Sequence, residues 1–200
     1  MTIELLSALI LFAFVTSITP GPNNIMLMSS GANFGFKQTL PHMLGVGIGF
    51  TLMIVLVGAG VVKIFDLYPF SYEVLKVLSV VYLLFLAYKI TQSSRVSSGK
   101  SNKTKPISFI QAVLFQWVNP KAWTMALTAI SVYSADNNFS SIILVALVFG
   151  SINFPCILSW TVLGLKIQSF LTSQKRLTSF NYFMATLLIL SLYPVIFNLD

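Results

Sequence analysis

Lys121 is the residue whose position most needs a chemical explanation. It lies about 14 residues into an apolar stretch, 107–133, that is long enough to cross a membrane. A lysine at the bilayer centre costs about 2.5 to 3.5 kcal/mol on insertion scales. We interpret its ammonium as a cation that pairs with a substrate carboxylate or exchanges a proton. The alternative is that it snorkels to the membrane surface.

Two apolar runs, one of which contains Lys121, are interrupted by prolines. Residues 19–24 read Thr-Pro-Gly-Pro-Asn-Asn inside one apolar run, and residues 116–121 read Gln-Trp-Val-Asn-Pro-Lys inside another. Proline removes an amide donor and clashes with the preceding turn, so neither run can be a continuous helix. Broken backbone at membrane depth is tolerated only inside protein or beside a cavity. The interruptions therefore predict a binding site.

The candidate substrate-binding residues come from both interruptions and from one further apolar run. Pro22 and Pro120 suit the first position of a new helical segment, with Asn119 as an N-cap. Each new helix would point backbone N–H groups and the positive end of its dipole toward the site, which favours a carboxylate. Gln116 and Asn153 either line the cavity or join helices by hydrogen bonds. The full candidate set is Thr19, Pro20, Gly21, Pro22, Asn23, Asn24, Gln116, Asn119, Pro120, Lys121 and Asn153.

The composition sets the class of protein. Of the 200 residues, 56% are hydrophobic and 8% are charged, against about 25% charged in soluble domains. The chain is therefore predicted to be an integral membrane protein, and its net charge of +7 is attributed to cytoplasmic loops rather than to nucleic-acid binding. The single cysteine, Cys156, excludes a disulfide framework and zinc sites built from paired cysteines. We expect no cofactor and no metal site.

Six apolar segments are long enough to cross the bilayer, which predicts an all-α, polytopic membrane protein. The first and fourth contain the interruptions, so helices 1 and 4 are expected to be broken. We expect one membrane domain over 1–200, made of a first repeat (1–90), a cytoplasmic linker (91–106) and a second repeat (107–200). The spans are 3–33, 40–62, 67–89, 107–133, 140–165 and 178–198.

The charges predict the orientation. With the linker in the cytoplasm, the inside loops hold nine of the twelve Lys and Arg residues and none of the five acids. The positive-inside rule then places both termini in the periplasm. Three spans in each half give the halves opposite orientations, as a 3+3 inverted repeat requires. Matched broken helices in two such halves are typical of a transporter site near the bilayer midplane.

Two further features concern the second span. Gly45 and Gly49 place two small residues on one helix face, which favours close helix packing. His42 follows Pro41 at the start of the span, so we expect it at the membrane interface rather than in a proton relay.

No Asp or Glu lies within a predicted span core, so nothing there could neutralise a cationic side chain of a cargo. This argues against lysine, arginine or metal cations as cargo and favours a neutral zwitterion.

The motifs resemble those of the LysE/RhtB family of amino-acid exporters. The resemblance lies in residues 19–24, the glycine-rich second span that follows Gly35-Phe36-Lys37-Gln38, the 105–109 segment and Asn119-Pro120-Lys121, and the order and number of spans also agree. The run at 20–24 with Gly-Phe-Lys-Gln is similar to the cysteine and O-acetylserine exporter branch. The resemblance implies efflux across the bacterial inner membrane, with protons as the coupling ion.

The sequence thus predicts a secondary transporter that exports a small neutral amino acid or derivative, cysteine- or O-acetylserine-like, or else homoserine, threonine or leucine. It is expected to be a multi-pass inner-membrane protein, surrounded by lipid, with no enzymatic activity. Alternatives are an exporter of another small solute or a metal cation, an intramembrane enzyme, and a binding or assembly subunit. Homo-oligomerisation is left open.

Overall fold

The computed structural model describes residues 1–93, 105–134 and 138–193, apart from the side chains of Ile64 and Asp66. These ranges are α-helical and contain no β-strand. A short π-helical turn at Val57–Val61 joins the third and fourth helices. The helices are α1 Ile3–Ile18, α2 Pro22–Phe34, α3 Phe36–Leu56, α4 Val62–Leu67, α5 Phe70–Thr91, α6 Phe109–Trp117, α7 Pro120–Tyr133, α8 Phe139–Gln168 and α9 Gln174–Leu190.

The first span is broken where the sequence predicted. Helix α1 ends before Thr19, whose backbone is extended, and α2 begins at Pro22 with an axis bent by 53° from that of α1. Gly21 precedes α2 in a fully extended conformation, and no side chain caps this helix. Because proline needs no N–H partner in the first turn, Pro22 ends the break at no hydrogen-bond cost.

The fourth span is broken in the same manner. Ser108 and Gln111 form a capping box that starts α6, which ends at Trp117. Helix α7 begins at Pro120, and the side chain of Asn119 accepts a hydrogen bond from the Lys121 N–H at 3.2 Å. Both predicted breaks, both N1 prolines and the Asn119 cap are therefore confirmed.

The remaining predicted spans also coincide with helices. Within the described residues, α3 with its π-helical extension, α5 and α8 are long and apolar enough to cross a membrane, and the bent α1–α2 pair is a fourth candidate when it is counted as one span. The broken α6–α7 pair and the 17-residue α9 occupy the other two predicted spans, so the six-span arrangement is consistent with the helices. Residues 94–104 of the predicted linker and 194–198 of the last predicted span lie outside the described ranges.

Helices α3 and α8 pack against each other at the centre of the molecule. Helix α8 also packs along α1 and α2, and α3 packs along α6. Gly45 and Gly49 allow α3 to approach α6 closely, since a Cβ at Gly49 would lie 2.8 Å from the Cα of Val113 on α6. The expectation that these glycines serve helix packing is confirmed. Helices α5 and α9 pack together beside this central group.

Candidate functional site

The two helix breaks meet at a cavity, here called the central cavity, with an empty volume of about 340 Å³ including its mouth. Six predicted site residues line it, together with six residues that were not singled out from the sequence. The predicted ones are Gly21, Asn23, Asn24, Asn119, Lys121 and Asn153. The others are Thr16, Ser17, Phe50, Ala122, Met125 and Ile157.

Lys121 connects the second break to the first. Its Nζ donates to the carbonyl oxygen of Thr19 at 2.8 Å, to Thr19 Oγ1 at 2.9 Å and to the carbonyl oxygen of Pro20 at 3.3 Å. These carbonyls lie in non-helical backbone, where no amide of the next turn is available to them. The lysine therefore satisfies acceptors that the first break leaves open, and its ammonium remains at the wall of the cavity.

Gly21 lets the lysine approach. A Cβ at this position would lie 2.7 Å from Cδ of Lys121 and 3.1 Å from its Nζ. Carbon atoms in ordinary contact are about 3.5 to 4.0 Å apart, so alanine would have to displace the lysine stem. The extended backbone at Gly21 is open to any residue, so the glycine is required by side-chain space alone.

A part-buried amide pair joins the two broken spans. Asn23 Nδ2 donates to Gln116 Oε1 at 2.8 Å, and Gln116 Nε2 donates to Asn23 Oδ1 at 3.3 Å and to the Ala112 carbonyl at 2.8 Å. Gln116 thus forms hydrogen bonds between helices and is not among the described residues that line the cavity.

Asn24 connects the two sides of the first break by hydrogen bonds. Its Nδ2 donates to the carbonyl oxygens of Ser17 and Thr19, each at 2.8 Å. The other predicted residues of the two breaks support the site in a different manner. Thr19 and Pro20 accept from Lys121, while Pro22 and Pro120 start α2 and α7.

Two indole N–H groups satisfy the last carbonyls before the breaks. Trp160 Nε1 donates to the Ile18 carbonyl at 3.1 Å, and Trp123 Nε1 donates to the Trp117 carbonyl at 2.8 Å. Each carbonyl ends a helix that the following residues cannot continue. The two tryptophans therefore stabilise the breaks in place of water, which the hydrocarbon region lacks.

Two polar groups at the cavity are left without partners among the described residues. The Ser17 hydroxyl is buried and has no hydrogen bond. The side chain of Asn153 lines the cavity and has no hydrogen bond to a described residue. An unsatisfied buried polar group costs about 1 to 3 kcal/mol, so it is retained where something else can bind it. Ser17 was missed from the sequence because a serine in an apolar helix commonly bonds to its own backbone.

With this geometry in place, the chain can be compared with known proteins. The model of the LysE type translocator family matches residues 14–192. This chain belongs to that family. The cysteine/O-acetylserine efflux proteins of Escherichia coli O1:K1 / APEC and O157:H7 are each 36% identical to it over 136 residues, or 66% of this chain and 67% of the relative. The protein of that name from strain K12 is 35% identical over the same length. No solved structure matches the chain.

Membership in the LysE type translocators confirms the resemblance inferred from the motifs and the membrane-transport class inferred from the broken helices. The wall of the translocator's central cavity carries one ammonium and, among its lining residues, no carboxylate. No three His, Cys, Asp or Glu side chains come together within the described ranges. Among the described residues that line the cavity, Lys121 is the only charged one.

His42 of the translocator is a buried residue of α3. Its side chain is 0% exposed, and neither ring nitrogen has a hydrogen-bond partner in the described part of the chain. The expected position at the membrane interface stays a prediction, but the side chain itself is covered by protein. Position in the sequence could not reveal this, because the neighbours that cover His42 come from other helices.

Proposed function

We propose that this translocator exports a small neutral amino acid or derivative from the cytoplasm and that cysteine or O-acetylserine is the preferred cargo. The observation that carries the proposal is the meeting of two broken helices at one cavity whose only charged lining residue is Lys121. The names of the Escherichia coli relatives point to the same cargo.

The cargo carboxylate would bind at Lys121 and at the start of α2. Helix α2 has no side-chain cap, so the amides of its first turn and the positive end of its dipole are available to an anion. The ammonium of Lys121 already lies beside this helix start, where it donates to Thr19 and Pro20. A carboxylate that enters here exchanges neutral acceptors for a charged one, and charge-assisted hydrogen bonds are roughly twice as strong.

The rest of the cargo would contact the unpartnered polar groups and the apolar floor. Asn153 offers both a carbonyl oxygen and an NH2 group, and Ser17 offers a hydroxyl, so an ammonium and a short polar side chain can both find partners. Phe50, Met125 and Ile157 restrict the remaining space. The absence of a lining carboxylate disfavours a cargo with a net positive charge.

Export would proceed by alternating access between two halves related as an inverted repeat, each with three spans and one broken helix. We infer that both termini face the periplasm and that the proton gradient drives efflux. The matched helix starts, with proline first in both α2 and α7, support the repeat.

Transport in everted membrane vesicles tests the function. Vesicles from cells that express the chain are energised and supplied with radiolabelled cysteine, O-acetylserine, threonine, homoserine or leucine, with and without a protonophore. We expect saturable uptake of O-acetylserine or cysteine that the protonophore abolishes. If no amino acid accumulates under either condition, the proposed function is wrong.

A substitution at Lys121 tests the proposed site independently of the exporter assignment. Lys121→Ala should abolish uptake, whereas Lys166→Gln, which removes an exposed lysine at the end of α8, should leave it unchanged. Uptake by Lys121→Ala at the wild-type rate would refute the site while leaving the exporter assignment standing.

A further inference from the structure

A second cavity lies between the C-terminal parts of α2 and α5 and the segment that precedes α6. We call it the cytoplasmic pocket, because the basic residues around it place it on the side predicted to face the cytoplasm. Its empty volume is about 330 Å³ including its mouth, close to that of the central cavity. The residues that matter here are Ser29 and Ser30 on α2, Lys89 on α5, and Lys105.

The charges of the pocket are unbalanced. Lys89 is half-buried, Lys105 is exposed, and no described residue that lines the pocket carries a carboxylate. Two ammonium groups that share one pocket repel each other, and the repulsion grows as the surroundings become less polar. An anion between them would replace this repulsion with two attractions.

The pocket also supplies a neutral donor. Ser29 is 3% exposed, and its Oγ accepts a long hydrogen bond from Asn33 Nδ2 at 3.5 Å. No described acceptor takes the hydroxyl proton of Ser29, so the hydroxyl can donate to a ligand. Ser30 is occupied instead, since its hydroxyl pairs with that of Thr39 at 3.0 Å.

Buried hydrogen bonds fix the wall of the pocket. Asn33 and Asn181 exchange hydrogen bonds of 2.7 and 3.0 Å, and Asn181 Nδ2 also donates to the Ser93 carbonyl at 2.7 Å. These bonds connect the end of α2 to α9 and to Ser93, which lies just beyond the end of α5. The pocket therefore has a defined shape in which a ligand meets preset groups.

We propose that the cytoplasmic pocket binds an anionic group, a carboxylate or a phosphate, between Lys89 and Lys105 with Ser29 as a further donor. The anion can come from a free solute or from the headgroup of an anionic lipid that enters between α2 and α5. Basic pockets between membrane helices on the cytoplasmic side are suited to such headgroups.

The position of the pocket connects it to the central cavity. Residues 23, 26, 30 and 34 lie on one face of α2, since they follow the helical period. Asn23 lines the central cavity, while Met26, Ser30 and Phe34 line the cytoplasmic pocket. The two sites are therefore about 10 Å apart along one helix face. A cargo carboxylate held in the cytoplasmic pocket would therefore lie close to the central cavity. Only this role for the cargo rests on the proposed function.

Phosphate binding by the purified full-length protein tests the site without transport. Thermal unfolding in nonionic detergent is followed as inorganic phosphate replaces chloride at constant ionic strength. We expect phosphate to raise the melting temperature of the wild type. In the Lys89→Gln/Lys105→Gln double variant, the apparent affinity should fall at least about tenfold, the equivalent of 1.4 kcal/mol.

The control for this experiment is Lys166→Gln. Lys166 occupies the last turn of α8 as Lys89 occupies that of α5, so both substitutions remove a lysine that complements a helix C-terminus. Only Lys89 lines the pocket. If Lys166→Gln loses the phosphate response as fully as the double variant does, or if the double variant keeps it, the proposal is wrong.

Two competition arms identify the source of the anion. Displacement of phosphate by O-acetylserine would assign the pocket to the cargo. The protein is also compared in nanodiscs of phosphatidylcholine with and without phosphatidylglycerol. Stabilisation by phosphatidylglycerol that requires both lysines would assign the pocket to a lipid. A wild-type protein that is stabilised by none of these ligands, phosphate, O-acetylserine or phosphatidylglycerol, would refute the site, and a failure of transport would leave it standing.

Discussion

Gly21→Ala gives a direct test of the contact between the two broken helices. The new Cβ would lie 2.7 Å from Lys121 Cδ, so the lysine stem has to withdraw by about 1 Å to reach an ordinary contact. A movement of this size at Nζ would lengthen its 2.8 Å bond to the Thr19 carbonyl to about 3.8 Å, beyond hydrogen-bonding distance. The backbone at Gly21 is extended and accepts alanine, so this displacement is the main effect.

The expected consequence is a large loss of transport with a small loss of stability. A misplacement of about 1 Å in a positioned group can reduce a rate by about 10²-fold, and we expect a fall of this order in cargo uptake by everted vesicles. The displaced ammonium is half-buried and can turn toward water. The free energy of unfolding should therefore fall by no more than about 1.5 to 3 kcal/mol, the value of one hydrogen bond to a charged group.

A double-mutant cycle with Lys121→Ala shows whether the lysine is the cause. Without the long side chain, the alanine Cβ at position 21 has no stem to displace, so Gly21→Ala should cost close to nothing in that background. Unfolding free energies of the four proteins should give a coupling of about 0.5 to 3 kcal/mol. The reasoning is refuted if Gly21→Ala costs the same in both backgrounds or if the single variant transports at the wild-type rate.

Three further predictions follow from the packing and from the unpartnered groups. Asn33→Leu should lower the unfolding free energy by about 1 to 3 kcal/mol because it leaves the amide oxygen of Asn181 buried without its donor. Asn181→Leu added to it should recover part of the loss in the same unfolding assay. Ser17→Ala should leave stability unchanged or raised, since the hydroxyl has no described partner, but should raise KM for cargo; an unchanged KM would exclude Ser17 from the site. Gly49→Leu should destabilise the protein by about 1 to 3 kcal/mol, because a Cβ at this position meets the backbone of α6. Ile48→Leu on the exposed face should be neutral in thermal unfolding, and equal effects of the two substitutions would contradict the packing.

Local chemistry made much of this architecture predictable. Proline cannot continue a helix but suits its first turn, so Pro22 and Pro120 fixed where α2 and α7 begin. Asn119 directly before Pro120 indicated its own role as an N-cap. The apolar lengths placed the helices, and the spacing of Gly45 and Gly49 identified a face for close packing. Each of these rules acts within a few residues and needs no knowledge of the partner helix.

The contacts that make the breaks into a site depend on residues far apart in the chain. The pairing of Asn23 with Gln116 spans 93 positions, and the bond from Lys121 to the Thr19 carbonyl spans 102. The sequence indicated that Lys121 needed a partner, but it left a substrate, a proton and the membrane surface as alternatives. Only the packed helices showed the lysine against the other break.

The sequence by itself determined the class of protein, the two breaks and the residue types available at them, because backbone sterics and hydropathy act locally. The tertiary structure decided which of those residues face the cavity, buried His42 completely, left Ser17 without a partner and brought Lys89 and Lys105 to one pocket. The reason is physical: burial and hydrogen-bond partners depend on which helix faces meet, and the faces that meet here belong to segments about 100 residues apart.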